Sequence, residues 1–512
     1  MVPQQFRSPR HALARAGCAV ALLTFAALGA LLARGGPLAA QSDGLGDENS
    51  WIRVANVGAS AATVDVTFYD SNGTRVATGS CPSAGACDAL GPGLGWSFFQ
   101  QGFAGLAAGY RGGAFVRSDQ PFVAVLGRDV FKGGLFQIGG DSVRLGAGAA
   151  SAVLPLVQQT GTYSSRVSVQ NTSETKDACV QLQFWAADAG APAATHPAGG
   201  GAGCPQGGTR IGPRASLVLD ERTGVPGVGF DGGALLRTFD SASGVRAAEQ
   251  TLAVAVDTRE RGGPGLATSR GAGPAELSRV VVLPQVDRNS SLGGRNWSTR
   301  FRIMNARPGT ANEVKLRYEG TDGAGDRVEI EHTVVLQSVL TCDQRASGAA
   351  GCLPADRDLP ASFTGSVRMQ SVEPIAVVAQ RIDAGGGLGD YRGFTVEEAS
   401  RQVVLPVLDK RFGPFGEQDG WNSWLRIATF DGSVAHVRII YYSKQFPGGL
   451  LRPAMSVDRM TTVRQADDAA LPDGWVGSAV VVADRPVIVV ANIESSVFRG
   501  DSLMMYSGVS FD

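Results

Sequence analysis

The stretch Gly477–Val490, GSAVVVADRPVIVV, has two counterparts earlier in the chain. Gly112–Val125 reads GGAFVRSDQPFVAV, and Gly365–Val378 reads GSVRMQSVEPIAVV. In each copy an apolar run, a turn that contains proline and a second apolar run follow one another, which is the pattern of two strands joined by a turn. Self-similarity over such distances indicates that the chain is built from repeats.

A second recurring feature is a short run in which apolar and polar residues alternate. This alternation predicts a half-buried strand with its apolar side chains on the core face. The polar position in the middle of the run is arginine in three copies and serine in one. The four runs are Trp51–Asn56, Ser165–Asn171, Thr299–Asn305 and Trp424–Thr429, and their middle residues are Arg53, Ser168, Arg302 and Arg426.

The distance between successive runs sets the size of the repeat at about 115 to 134 residues. A unit of this size with about seven short strands is typical of an immunoglobulin-like β-sandwich. We therefore predict an all-β chain of four tandem immunoglobulin-like β-sandwich repeats, which we call units 1 to 4. A β-propeller is the alternative, but its blades usually span about 40–50 residues. The predicted units are residues 41–152, 153–279, 280–402 and 403–512.

The first forty residues have the features of a secretion signal. Basic residues precede an apolar run from Ala16 to Ala33, and small residues then lead to a cleavage site before Gln41. We predict that residues 1–40 are a signal peptide, so that the mature protein is secreted and has no transmembrane segment. An uncleaved anchor helix is the alternative, because a run of about 18 residues is at the lower limit for crossing a bilayer.

The composition argues against several classes of protein. Hydrophobic residues make up 44% of the chain and charged residues 18%, as in a globular protein rather than a disordered one. The 46 basic and 47 acidic residues nearly balance. Nucleic-acid binding requires a clustered basic face, so we expect no nucleic-acid partner.

Six cysteines lie outside the predicted signal, two in each of units 1 to 3. An even number of cysteines in an exported chain favours disulfides, and two per unit favours pairing within units. A zinc site is the alternative, but no CxxC motif or histidine cluster accompanies the cysteines. The predicted disulfides are Cys81–Cys87, Cys179–Cys204 and Cys342–Cys352.

Tryptophans cluster at the start of the first strand in three of the units. Indole rings stack well on sugar rings and other apolar faces, so these residues are candidates for ligand binding. The alternative is that they pack over the core or at the junctions between units. The four residues are Trp51, Trp297, Trp421 and Trp424.

The sequence lacks three common motifs of catalytic sites: it has no GxSxG elbow, P-loop or HExxH motif. We therefore predict a non-catalytic protein with no catalytic residue, cofactor or metal. A glycosidase stays open as an alternative, because its two carboxylates can come from distant parts of a chain.

Short links that contain Leu-Pro join the predicted units. Each reads as a strand able to complete either neighbouring unit, and none is a long flexible tether. We therefore predict a stiff, elongated row of four units about 140 Å long, with a closed ring as the alternative. The three dipeptides are Leu154-Pro155, Leu283-Pro284 and Leu405-Pro406.

The repeats resemble those of uncharacterised bacterial secreted and cell-surface proteins. The resemblance rests on Asn56–Gly73, Leu90–Ser97 and Gly474–Val490. It implies an extracellular location and a repeat architecture, with no established activity. We expect a secreted or cell-surface structural or adhesive protein, acting as a spacer or binding scaffold, whose partner is a cell-envelope polysaccharide or another surface protein. A carbohydrate-binding accessory protein is the alternative.

Overall fold

The chain folds almost entirely into β-strands in the computed structural model. The structure describes residues 48–83, 87–132, 135–143, 148–198, 204, 207–239, 250–292, 295–354, 356–383, 385–413 and 420–511. Within these ranges there is no α-helix, and none of the short 3-10 turns has the length and hydrophobicity that crossing a bilayer requires. The all-β prediction is confirmed. The predicted signal peptide, residues 1–40, lies outside the described residues.

The first half of the chain contains sixteen of the strands. In unit 1 they are β1 (Glu48–Asn56), β2 (Val64–Asp70), β3 (Arg75–Cys81), β4 (Gly95–Phe99), β5 (Gly112–Ser118), β6 (Phe122–Lys132) and β7 (Leu135–Val143). In the residues of unit 2 they are β8 (Ser151–Gln159), β9 (Tyr163–Asn171), β10 (Ala178–Ala186), β11 (Ala194–His196), β12 (Thr209–Ile211), β13 (Ser216–Leu219), β14 (Phe230–Phe239), β15 (Leu252–Glu260) and β16 (Leu266–Arg270).

The second half of the chain continues the series. In unit 3 the strands are β17 (Ser278–Arg288), β18 (Ser290–Leu292), β19 (Arg295–Asn305), β20 (Asn312–Asp322), β21 (Arg327–Leu336), β22 (Val339–Asp343), β23 (Phe363–Asp383), β24 (Leu388–Arg392) and β25 (Phe394–Thr395). In unit 4 they are β26 (Ser400–Lys410), β27 (Trp421–Thr429), β28 (Val434–Tyr442), β29 (Leu450–Leu451), β30 (Met455–Asp458), β31 (Met460–Arg464), β32 (Trp475–Ser495), β33 (Gly500–Asp501), β34 (Leu503–Ser507) and β35 (Val509–Ser510). Four 3-10 turns cover Pro274–Glu276, Gly348–Gly351, Val396–Glu398 and Gln465–Asp467.

One order of strand pairing recurs along the chain. In unit 1 one layer has the order β4-β1-β6-β7, and later units repeat it as β13-β9-β15-β16, β22-β19-β23-β24 and β31-β27-β32-β34. A second layer, β3-β2-β5 in unit 1, is built later on the pairs β10-β14, β20-β23 and β28-β32. Apolar side chains of both layers share one core, as Val54, Val66 and Phe68 do in unit 1. Two sheets around a common core are consistent with β-sandwich repeats.

The prediction of half-buried strands is correct for only part of the chain. β9 alternates buried and half-buried residues, but β19 and β27 are buried on both faces over most of their length. Arg302 and Arg426, on the polar face, are only 1% and 7% exposed. The polar face is buried because the preceding unit packs against it. The Arg302 guanidinium, for example, donates a hydrogen bond to the Gly232 carbonyl at 3.0 Å.

Each Leu-Pro segment is a strand of the later of the two units that it joins. β8 pairs antiparallel with β14, β17 with β23, and β26 with β32. In each case the leucine before the proline, Leu154, Leu283 or Leu405, is at most 1% exposed and joins the core of that unit. The structure therefore answers which neighbour these strands complete. Among the described residues, unit 1 has no corresponding strand.

The strands in the residues of predicted units 1 to 4 close into a ring. β7 contacts β16 and β34, and β24 contacts the same two strands, so one strand from each unit surrounds the centre. β33, near the end of the chain, pairs in parallel with β7 of unit 1. Trp51 and Phe136 of unit 1 belong to the same apolar cluster as Leu425 and Ile493 of unit 4. The predicted elongated row is therefore wrong, because the first and last units are in contact.

The three predicted cysteine pairs lie at disulfide distance. Each bond closes a loop within one unit, and the separations between Cα atoms are 5.6, 5.8 and 5.1 Å. The pairs are Cys81–Cys87, Cys179–Cys204 and Cys342–Cys352.

The closed ring predicts a compact particle in solution. Small-angle scattering on residues 41–512 should give a radius of gyration near the value of about 23 Å expected for one compact chain of this length. A straight row about 140 Å long would give about 40 Å instead. Values near that upper figure would contradict the contact between units 1 and 4.

Candidate functional site

A polar cleft of about 590 Å³ lies between units 3 and 4, and we call it the 3–4 cleft. Asp287, Thr364 and Arg381 of unit 3 line its floor. Hydroxyl groups and charges line its rim, because β31 places Thr461, Thr462 and Arg464 there, with Ser290 and Ser291 from β18. The cleft is therefore rich in hydrogen-bonding groups of both kinds, donors and acceptors.

The floor of the cleft is a hydrogen-bonded network that crosses the junction. The Arg381 Nε donates to Asp287 Oδ2 at 3.1 Å, and both side chains are only 1% exposed. The Thr364 hydroxyl donates to Asp287 Oδ1 at 2.7 Å. From unit 4, Arg426 Nη2 donates to Thr364 Oγ1 at 3.1 Å. Burial lowers the pKa of Arg426, and the Asp287 carboxylate acts in the opposite direction.

Two of the predicted tryptophans enclose the buried arginine. The guanidinium carbon of Arg381 lies 4.1 Å from the ring centroid of Trp297 and 4.9 Å from that of Trp424. A guanidinium at this distance from an indole face is attracted to the ring electrons, and more strongly when water is excluded. Both indoles are almost completely buried. Their faces support the junction between units 3 and 4 and are not exposed to a ligand.

The other two tryptophans lie where unit 4 meets unit 1. The Trp51 Nε1 donates to Asp129 Oδ1 at 3.1 Å, and its ring is 9% exposed. Trp421 is half-buried, and its ring centroid lies 5.6 Å from that of Phe136 and 5.2 Å from that of Phe498. Phe136 belongs to unit 1, so this aromatic group joins units 1 and 4. The structure thus brings the four tryptophans into two groups at two junctions.

Apart from the tryptophans, the groups at the junctions were visible in the sequence only as the arginines that recur at the polar position of three strands. Arg53 Nε donates to the Pro406 carbonyl of unit 4 at 2.7 Å. Arg302 likewise contacts unit 2, and Arg426 contacts unit 3. Each arginine therefore reaches the unit before it in the ring. The signal in the sequence was the recurrence of arginine at the polar position of three strands. A solvent-exposed face does not require one particular charged residue, so the recurrence indicated a specific contact.

A second network of charges lies nearer the centre of the ring. Arg270, at the end of β16, forms an ion pair with Glu276. Arg392, at the end of β24, contacts Glu276 at 3.5 Å and also pairs with Glu398. The neighbouring guanidinium groups hold the pKa of Glu276 at about 2, against the effect of burial. Units 2 and 3 are thus joined by charge pairs as well as by apolar contacts.

The chemistry open to the 3–4 cleft is binding through hydrogen bonds. Its hydroxyl, guanidinium and carboxylate groups match a ligand that carries many hydroxyls or mixed charges. In the part of the chain that the structure describes, no group of three or more His, Cys, Asp or Glu residues is placed to hold a metal ion. The absence of catalysis stays a prediction.

Comparisons with known proteins give no assignment. No protein family and no curated protein matches the sequence. Among solved structures, the crystal structure of a tetra-tandem repeat in the extending region of a large adhesion protein is similar over 91% of this chain and 96% of that chain. The sequence identity is 14% and the TM-score is 0.10, and a score this low carries no argument about fold or function.

Substitutions in the floor of the cleft test its role at the junction. Arg381→Leu should lower the free energy of unfolding by about 3–5 kcal/mol, because it leaves Asp287 as a buried charge without its partner. Adding Asp287→Leu should recover part of the loss, since that charge is then gone. Urea unfolding measures both effects. Arg464→Ala at the exposed rim is the control, with an expected change within about 0.5 kcal/mol. A stable Arg381→Leu protein would contradict the role of the pair.

Proposed function

We propose that the protein is an exported, non-catalytic binding scaffold at the cell surface, made of four immunoglobulin-like units closed into a ring. The observation that carries the proposal is the contact between units 1 and 4. A closed ring holds every unit against two others, so the loops at its surface project from a rigid body. Binding residues are commonly found on loops held by such scaffolds.

The ring favours a scaffold over a spacer. A row of units separates its two ends, whereas β33 and β7 bring the end of this chain to its first unit. Compared with a row of the same units, a ring is shorter and presents a broader surface. The natural partners of such a surface are a cell-envelope polysaccharide or another surface protein.

Export is supported by the cysteine pairs. Three pairs at disulfide distance suit an oxidising compartment outside the cytoplasm. Disulfides stabilise small domains whose cores are limited in size, typically by about 2–4 kcal/mol each. The predicted signal peptide, residues 1–40, supplies the route of export in this proposal.

Labelling of intact cells tests the proposed location. Antibodies against residues 41–512 should label cells that express the full chain, and protease added outside the cells should remove the label. The reason is that a surface protein is accessible on both counts. An internal protein of the same cells is the control and should resist the protease. Label that appears only after lysis would contradict the proposed location.

A carbohydrate-binding accessory protein or a glycosidase is the second candidate, favoured by the lining of the 3–4 cleft. The rim hydroxyls of Ser290, Ser291, Thr461 and Thr462 stand beside charged groups. Sugars are bound through such networks of hydroxyl, guanidinium and carboxylate groups. The half-buried ring of Trp421 lies at another junction and does not contribute to this cleft.

A glycan array distinguishes the second candidate from the first. If the cleft binds sugar, the double variant Thr461→Ala and Thr462→Ala should lose about 5- to 150-fold in affinity, because each lost hydrogen bond weakens binding by about 0.5–1.5 kcal/mol. Thr310→Ala, at an exposed threonine outside the cleft, is the matched control. Release of free sugar from a bound glycan would favour the glycosidase. No saturable signal on the array would remove this candidate.

A further inference from the structure

The second layer of unit 1 ends in an open strand edge. β5 pairs with β2 from Gly112 to Ser118, and no described strand pairs with its other side. In units 2, 3 and 4 the corresponding edge is covered by the Leu-Pro strands β8, β17 and β26. Unit 1 is thus the one unit, within the described residues, whose sheet ends at this position.

The core of unit 1 is less covered as a result. Ala114 and Val116 of β5 face Phe68 and Val66 in the same register in which Ala234 and Leu236 of unit 2 face their own partners. Yet Ala114 and Val116 are only half-buried. Ala234 and Leu236 are completely buried. This difference in burial is expected if no strand lies beside β5, because its core-facing side chains are then uncovered on one side.

The opposite wall of this position belongs to unit 2. On β9 the outward residues Arg166, Ser168 and Gln170 are half-buried, whereas β19, which faces β8 at the next junction, is almost entirely buried. Ser168 stands where the other units place the arginine that reaches the preceding unit. The covering strand and the arginine are therefore both absent, among the described residues, from the junction between units 1 and 2.

The junction between units 1 and 2 resembles the junction between units 2 and 3 in the residues that meet there. A Cβ on Gly113 would meet the side chain of Gln170, and a Cβ on Gly233 would meet Met304 at the corresponding point. Equivalent residues therefore meet at the two junctions. The position beside β5 is thus the counterpart of the position that β8 fills beside β14.

The chain itself shows which sequences fill such a position. The strands that cover the other three edges are Ser151–Gln159, Ser278–Arg288 and Ser400–Lys410. In each of them two or more aliphatic residues are followed by Leu-Pro. We propose that the edge of β5 binds, as an added antiparallel strand, an extended aliphatic Leu-Pro segment of another protein. Backbone hydrogen bonds to a sheet edge give such binding its affinity, and pockets for alternate side chains give its specificity.

Another protein is the occupant that these observations favour. In units 2 to 4 the leucine of the Leu-Pro pair lies 17, 22 and 24 residues before the end of the strand that follows, so the corresponding residues of unit 1 are about 32–39. These residues belong to the predicted signal peptide and leave with it. Residues 41–47, QSDGLGD, which then precede β1, contain a single aliphatic residue, Leu45. They cannot supply the two or three buried aliphatic side chains that the other edges receive. The inference deepens the scaffold proposal by naming a class of partner, and it depends on the strand arrangement and on removal of the predicted signal peptide, residues 1–40.

A labelled peptide with the sequence of Ser400–Lys410 is the direct probe. Fluorescence anisotropy should show saturable binding to residues 41–512, and hydrogen exchange should slow at Gly112–Ser118 when the peptide is bound. The same peptide with Leu405→Asp should bind at least about tenfold more weakly, because that side chain enters the core. No binding of the unaltered peptide would overturn the proposal.

A grafted variant provides the matched control without weakening the core. Placing the sequence of residues 151–162, which contains β8 and its connection to β9, directly before Glu48 should fill the edge of β5 from within the chain. This variant should lose peptide binding at least about tenfold and melt at a higher temperature. Equal peptide binding by parent and graft would place the peptide elsewhere and overturn the proposal.

Two further outcomes would identify a different occupant. If residues 41–512 alone form a dimer in which β5 is protected from exchange, the occupant is a second copy and the proposal fails. If the full chain from residue 1 binds no peptide while residues 41–512 do, the N-terminal segment is the occupant and the proposal also fails. These results are separate from the cell-labelling experiment, so either proposal can fail while the other stands.

Discussion

Backbone pairing between each Leu-Pro strand and the sheet that follows it is the constraint on which the rest of the structure depends. β8, β17 and β26 each run directly from the preceding unit into the sheet of their own unit, through pairs with β14, β23 and β32. Their outer faces meet the next unit, since β8 contacts β19 and β17 contacts β27. One strand therefore touches three successive units, and the angle between units cannot vary freely.

Charges at the junctions make this arrangement specific. Arg53, Arg302 and Arg426 each reach the preceding unit, and Arg270 and Arg392 pair with glutamates of the 3-10 turns. Buried ion pairs contribute little net stability compared with apolar packing, but a charge left without its partner is costly. A misplaced unit would leave such charges unpaired, so we infer that they select one arrangement among the many that apolar surfaces alone would allow.

The sequence predicted what is local and missed what depends on distant contacts. The alternating runs located β1, β9, β19 and β27, and two cysteines per unit indicated pairs that the structure places at disulfide distance. The ring was missed because a short link restricts which units are neighbours but not the angle between them. That angle depends on residues far apart in sequence, such as Phe136 and Trp421. The 3–4 cleft was missed for the same reason, since Asp287, Arg381 and Arg426 form no motif.

The open edge of β5 follows from closing a linear chain into a ring. Each covalent link between units carries the Leu-Pro strand of the unit after it, and four units in one chain have only three links. At the fourth junction, unit 4 meets unit 1 through side chains and the short β33–β7 pair, with Arg53 donating to Pro406 and Ser478 donating to Gly93. In unit 1 no described strand of this kind lies beside β5. Within the described residues, the open strand edge is therefore found at unit 1.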